Sequence, residues 1–168
     1  MKHLIIMRHG TAQPHSAGGD FSRALVPEGA KEAQATSRIL RKAGIVPGVI
    51  LSSPLIRARQ TAEEAAKAFG LSVDTIATDN ELAPGGDKEI VLQSVQRLFE
   101  DHATVMLTGH QPYLGEMIAL LLFGREIDEM HLSKGGVAVF EISGNAGKTP
   151  QELVLLVDPK TAGALLSR

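Results

Sequence analysis

The sequence predicts an α/β fold of three layers, α/β/α, around a mostly parallel central sheet. Three observations carry this expectation. Short apolar runs alternate along the chain with longer amphipathic stretches. The first run, Lys2–Met7, is apolar nearly throughout, which suits a strand covered on both faces. Three of the runs end in a sharp polar turn that leads straight into a helix start.

Taken in order, Lys2–Met7 is a strand, and Gly10 to Val26 is a loop rich in Gly, Ser, Pro and His. Pro27 opens a helix whose apolar face is Ala30, Ala33, Ile39, Leu40 and Ala43, with Gly44 as its stop. Val49–Leu51 is the second strand. Ser53-Pro54 caps a second helix that runs to Gly70, and Leu71–Ile76 is a third strand. After the loop Glu81–Asp87, a helix over Lys88–Glu100 buries Ile90, Val91, Val95, Leu98 and Phe99. Ala103–Leu107 is a strand followed by a helix from Pro112. Val137–Ile142 and Leu153–Val157 form a hairpin around the polar turn Ser143–Gln151. Within that turn, Gly144 to Thr149 reads GNAGKT, but Ile142 stands where a phosphate-binding loop needs its first glycine. A strand also follows where such a loop needs a helix.

Composition narrows the function. A chain of 168 residues with no internal repeat or linker is expected to form one domain, 1–168. Its 17 Lys+Arg and 19 Asp+Glu give a net charge of -2, without the basic excess of nucleic-acid binders. Aromatic residues make up 4% and tryptophan is absent, so base-stacking platforms are not expected. No apolar run approaches the ~20 residues that span a bilayer. Leu4–Met7 is too short for the core of a signal peptide. The expectation is a cytoplasmic protein whose partners are neither nucleic acid nor membrane. Cysteine is absent, which removes disulfides, thiolate metal sites and cysteine nucleophiles. Histidine occurs six times and is the residue type to examine for nucleophilic or proton-transfer chemistry.

The three strand-to-helix turns are Arg8-His9-Gly10, Ser52-Ser53-Pro54 and Thr108-Gly109-His110. In open α/β sheets the carboxyl ends of the strands form the ligand edge, so Arg8, His9 and His110 fall on it together. Two helix N-termini meet the same edge and attract anions through free amides and the dipole. Arg57 lies in the first turn of the second helix, where a cation opposes the dipole by ~0.3–1 kcal/mol. Such a charge is easier to understand beside an anion, and the forks of Arg8 and Arg57 suit phosphate oxygens. His3 reads as a strand residue, His102 as a helix-terminal cation, and His15 and His131 as surface residues.

Arg8-His9-Gly10 after an N-terminal apolar strand resembles the RHG signature of the histidine phosphatase superfamily, the phosphoglycerate mutase-like fold. Ser53-Pro54-Leu55-Ile56-Arg57-Ala58-Arg59-Gln60-Thr61-Ala62 is similar to that family's S-P-x-x-R-A-x-Q-T-A element, and Gly109-His110 to its late G-H element. The helix start Pro27-Glu28-Gly29 fits as well. The short length and Leu82-Ala83-Pro84-Gly85-Gly86-Asp87 most resemble the SixA-type phosphohistidine phosphatases. The resemblance implies His9 as a nucleophile that becomes a transient phosphohistidine, with Arg8, Arg57 and His110 as the phosphate pocket. Gly10, through its amide, and Thr11 are further candidates for phosphate contact. The resemblance implies neither cofactor nor metal. Its implied partner is a phosphorylated protein bearing phosphohistidine, or a small phosphorylated substrate.

One departure bears on the substrate. Relatives that act on phosphate esters carry an acidic general acid in the loop before the third helix, and that position holds Pro84 here. Glu81 is the nearest stand-in. An alkoxide leaving group needs the acid's proton, so the departure favours a phosphoramidate. The alternatives are a small phosphate-ester phosphatase using Glu81 or Asp79, and a module that binds phosphate without turnover.

Overall fold

Strand β1 (His3–Arg8) lies inside the sheet because both its faces are apolar. Leu4 and Ile6 point into one core, Ile5 and Met7 into the other, and all four are fully buried. The computed structural model describes residues 1–127 and 130–168. Around β1 the chain builds α1 (Pro27–Lys42), β2 (Val49–Ser52), α2 (Ile56–Phe69), β3 (Ile76–Thr78), α3 (Lys88–Leu98) and β4 (Thr104–Gly109). It continues through α4 (Tyr113–Phe123), β5 (Val137–Glu141), β6 (Glu152–Val157) and α5 (Pro159–Leu166).

The sheet order is β3-β2-β4-β1-β5-β6. Strands β1 to β4 are mutually parallel, whereas β5 runs antiparallel to both β1 and β6. Right-handed crossovers explain the layers. From β1 through β2 to β3 the chain steps in one direction, leaving α1 and α2 on one face. The return step from β3 to β4 puts α3 on the other face, where α4 joins it. Ala33, Leu40, Ala62, Ala65, Ala66 and Phe69 pack with Ile5, Met7, Ile50 and Met106 on the first face. Val91, Leu92, Val95, Leu114, Met117 and Leu121 pack with Leu4, Ile6, Val105 and Leu107 on the second. This is the expected three-layer α/β/α arrangement.

Several boundaries differ from the sequence pattern. The strand expected at Leu71–Ile76 forms instead at β3, because the Ser72 hydroxyl accepts from the Asp74 amide and turns Val73–Thr75 into a single 3-10 turn. Ser53-Pro54 does not cap α2; Leu55 occupies the cap position and no side chain caps it. Ile90 is 44% exposed and leaves the buried stripe of α3 to Leu92. His102 lies beyond the end of α3, its amide donating to the Leu98 carbonyl. Helix α5 has no counterpart in the sequence expectations. The hairpin of β5 and β6 forms as expected, with Gly144 to Thr149 in its turn.

The turn after β1 is pressed against the start of α1. A Cβ on Gly10 would stand 2.3 Å from the Gly29 carbonyl oxygen, and one on Gly29 would stand 2.1 Å from the Thr11 carbonyl oxygen. Both neighbours are backbone, so the helix itself would have to move. Replacing Gly29 by Ala should gain up to about 1 kcal/mol of helix propensity. Overpacking costs about 1–3 kcal/mol, and here it should win. Gly29→Ala is therefore expected to lower the free energy of unfolding in urea by about 1–2 kcal/mol. An unchanged or higher stability would contradict the close approach.

Candidate active site

The carboxyl ends of β1, β2 and β4 bring Arg8, His9, Ser53 and His110 to one edge of the sheet. Parallel pairing sets Arg8 beside Gly109 and Ser52 beside Thr108, so the three following turns leave the sheet at one level. His9 is 8% exposed, Arg57 5% and His110 3%. The His9 and His110 rings lie with centroids 5.2 Å apart. Arg57, in the first turn of α2, sends its Nε–H toward His9 Nε2 at 3.3 Å. His9 and the three residues expected as a phosphate pocket beside it, Arg8, Arg57 and His110, are thus together.

The tautomer of His9 follows from its neighbours. Nδ1 lies 2.7 Å from the Gly10 carbonyl oxygen, which can only accept, so Nδ1 carries the proton. Nε2 then keeps its lone pair and accepts from Arg57. Burial lowers the pKa of His9 to about 4, the Gly10 carbonyl opposes that fall, and the charges of Arg57, Arg8 and Arg23 add to it. Burial, with the neighbouring His9, Arg57 and Arg8, lowers His110 to about 3. Both rings are neutral at pH 7.

Gly10 and Thr11 sit beside His9, but their donors are engaged within the protein. The Gly10 amide donates to Thr61 Oγ1 at 3.1 Å. The Thr11 amide and hydroxyl donate to the two carboxylate oxygens of Glu32 at 2.7 and 2.8 Å. Their place in this structure is to brace the His9 turn, not to offer free donors. Glu81 accepts from the Asp87 amide at 2.7 Å and closes its own loop. Glu81 and Asp79 instead contribute, after burial, to a raised pKa at Tyr113.

Other members of the ten-residue element have structural duties around Arg57. Thr61 Oγ1 donates to the Arg57 carbonyl at 2.7 Å while accepting from Gly10, tying α2 to the β1 turn. The Gln60 side chain accepts from the Leu25 amide at 2.7 Å and holds the end of the long loop. Ala58 and Ala62 are fully buried, which lets α2 lie close to the sheet.

Asp20 and Glu32 carried no mark in the sequence, and Ser53 stood out only as a helix cap and as the first residue of the ten-residue element, not as a partner of His110. Asp20 sits in a 3-10 turn, Asp20–Ser22, within the long loop. Its carboxylate meets Arg57 at 3.0 Å and Arg23 at 2.8 Å, and its carbonyl accepts from Arg57 at 2.7 Å. Those two guanidiniums hold the Asp20 carboxyl below the ordinary range. Asp20 is thus a protein-borne anion beside the cation at the start of α2. Only the Asp20-to-Arg23 spacing is visible in the sequence, and it does not reveal Arg57 as a partner. Among the described residues, Arg8 Nε and His110 Nδ1 are buried without a hydrogen-bond partner. Arg8 is anchored at its other end by the Leu132 carbonyl, 2.8 Å from Nη1. The pocket therefore has an anion-compatible lining: two guanidiniums, two neutral imidazoles and unpaired donor capacity.

Two depressed histidines make stability depend on pH. Between about pH 6.5 and 4 the unfolded chain binds more protons at these two positions than the folded one, so stability falls as pH drops. Unfolding in urea at pH 7.5, 6 and 5 should show this decline, and the double variant His9→Asn, His110→Asn should show a shallower one. An equal slope in both proteins would contradict the assigned neutral rings.

The chain matches the family model of the histidine phosphatase superfamily (branch 1) over residues 4–118. It is 34% identical over 163 residues to an uncharacterised protein of Picosynechococcus sp., covering 94% of this chain and 96% of that one. It is 31% identical over 143 residues to the phosphohistidine phosphatase SixA of Escherichia coli K12, covering 84% of this chain and 88% of SixA. The solved structure of the protein histidine phosphatase SixA complexed with tungstate superposes with a TM-score of 0.83 at 27% identity, covering 95% of this chain and 98% of that one. Sheet, site and similarity agree: the chain belongs to the histidine phosphatase superfamily, branch 1.

Proposed function

We propose that the chain removes phosphoryl groups from phosphohistidine in a protein, using His9 as nucleophile, and that residues 1–168 act as one catalytic domain. The observation that carries the proposal is the His9 ring: neutral, with Nδ1–H held by the Gly10 carbonyl and the Nε2 lone pair exposed to Arg57. A nucleophile must be unprotonated at the attacking atom and fixed in direction, and this ring is both.

In the proposed reaction Nε2 attacks phosphorus as the phosphorus–nitrogen bond of the substrate breaks. The substrate imidazole departs neutral when its second nitrogen already carries a proton. His9 becomes a phosphoimidazolium whose positive ring is stabilised by Nδ1–H donation to Gly10. Water then attacks phosphorus, the new phosphorus–nitrogen bond breaks, and dihydrogen phosphate leaves. His9 returns neutral with its Nδ1 proton unmoved. Arg8, Arg57 and His110 offset charge on the equatorial oxygens of a loose transition state. Two guanidiniums supply the positive charge, so the scheme calls for no metal.

Neither step needs a protein acid, which fits Pro84 at the position of the ester hydrolases' acid and the Glu81 carboxylate bonded to Asp87. An ester's alkoxide has no such internal proton, and lacking a general acid costs about 10²–10⁴-fold. SixA, similar along most of its length and solved with the oxyanion tungstate, supports the same reading.

Steady-state hydrolysis tests it. Turnover of a phosphohistidine-bearing protein is expected to exceed that of an unactivated alkyl phosphate by about 10²–10⁴-fold in kcat/KM. His9→Ala should lower turnover of the former by roughly 10³-fold or more. Equal rates for His9→Ala and the parent protein would reject the mechanism. Preference for the ester would reject the substrate, and binding without turnover would favour a phosphate-binding module.

A further inference from the structure

Ser53 is fully buried in the turn that follows β2, and its hydroxyl oxygen stands 2.7 Å from His110 Nε2. Either atom can donate in that bond, so the contact alone leaves the His110 tautomer open. Two further observations decide it. The Leu55 amide points at the same Ser53 oxygen, 3.4 Å away, and can only donate. If Nε2–H also donated to that oxygen, the serine proton would have no acceptor, because His110 and Leu55 are its partners among the described residues. That arrangement would leave two buried groups unpaired, the serine proton and the bare Nδ1, whereas the opposite one leaves Nδ1–H alone. The serine proton therefore goes to Nε2.

The second observation is His110 Nδ1, buried and without a partner among the described residues, on a ring 5.2 Å from that of His9. Were Nδ1 a bare lone pair, it would repel the oxyanion that Arg8 and Arg57 attract. As N–H it has a free donor to offer one.

We infer that Ser53 is a positioning residue that fixes the tautomer of His110: its hydroxyl donates to Nε2, so Nδ1 carries the proton and presents it to a phosphoryl oxygen. The ligand half of this inference rests on the phosphatase reading above; the tautomer half stands on the protein alone. It also explains why Ser53 leaves the α2 cap unmade, since its hydroxyl is directed at His110 instead.

Long-range proton–nitrogen NMR of the full chain labelled with [15N]histidine, without added oxyanion, reports the tautomer directly. His110 is identified as the signal lost in His110→Asn. The parent protein is expected to show Nδ1 protonated and Nε2 bare, Ser53→Thr to keep that pattern, and Ser53→Ala to lose it. Tungstate titration should show Kd about tenfold weaker in Ser53→Ala and restored in Ser53→Thr. A parent His110 protonated at Nε2 overturns the inference even if no serine variant folds. An unchanged tautomer in Ser53→Ala overturns it as well. An Nδ1–H signal in a protein that hydrolyses no phosphoryl substrate upholds the tautomer and overturns only the activity proposed above.

Discussion

The hydrogen bond from His9 Nδ1 to the carbonyl of Gly10, at 2.7 Å, is the interaction on which the site depends. A carbonyl cannot donate, so this contact fixes at once where the ring's proton is and which nitrogen is available. It also places an acceptor where positive charge would appear if Nε2 took a phosphoryl group. Burial and the nearby guanidiniums keep the free ring neutral, and the carbonyl supports the charged ring that would form on phosphorylation. The same few atoms thus favour a neutral reactant and a cationic intermediate.

Much of the surrounding structure holds that carbonyl still. Thr61 takes the Gly10 amide, Glu32 takes both donors of Thr11, and the Gly10–Gly29 approach leaves the turn no lateral room. Thr61 and Arg57 share a helix, so the group that braces the His9 turn moves with the cation that faces His9 Nε2. Asp20 engages the outer nitrogens of Arg57 and leaves Nε for His9. Arg57 is thereby aimed by a loop residue on one side and faces the proposed nucleophile on the other. Helix α2 delivers these groups only because Ala58 and Ala62 let it sit against the sheet.

The layers were legible in the sequence because strands buried on both faces leave unbroken apolar runs, as at Leu4–Met7, and because Pro27 and Gly70 mark helix ends by their backbone chemistry. Arg8, His9, Arg57 and His110 stood out through the turns they occupy. What was illegible is what depends on distant partners. Ser53 looks locally like a helix cap, yet its hydroxyl faces His110, 57 residues away. Asp20 lies in a glycine-rich loop with no periodicity to mark it, and its meeting with Arg57 is set by how the loop folds back. Helix α5 buries only Ala162 fully, so it lacks the apolar stripe that announces a helix. Gly10 and Thr11 were candidates for phosphate contact, and what the sequence could not display is that their donors turn inward to Thr61 and Glu32.

Nδ1 of His9 is held as N–H by Gly10, which leaves Nε2 as the proposed reacting atom. The most direct test is the position of phosphorus in the phosphoenzyme, trapped by rapid alkaline quenching after mixing with a phosphohistidine-bearing protein and resolved by phosphorus–proton NMR of the isolated peptide. The phosphoryl group is expected on Nε2 of His9. Phosphorus on Nδ1 of His9, or on any other residue, would contradict the account.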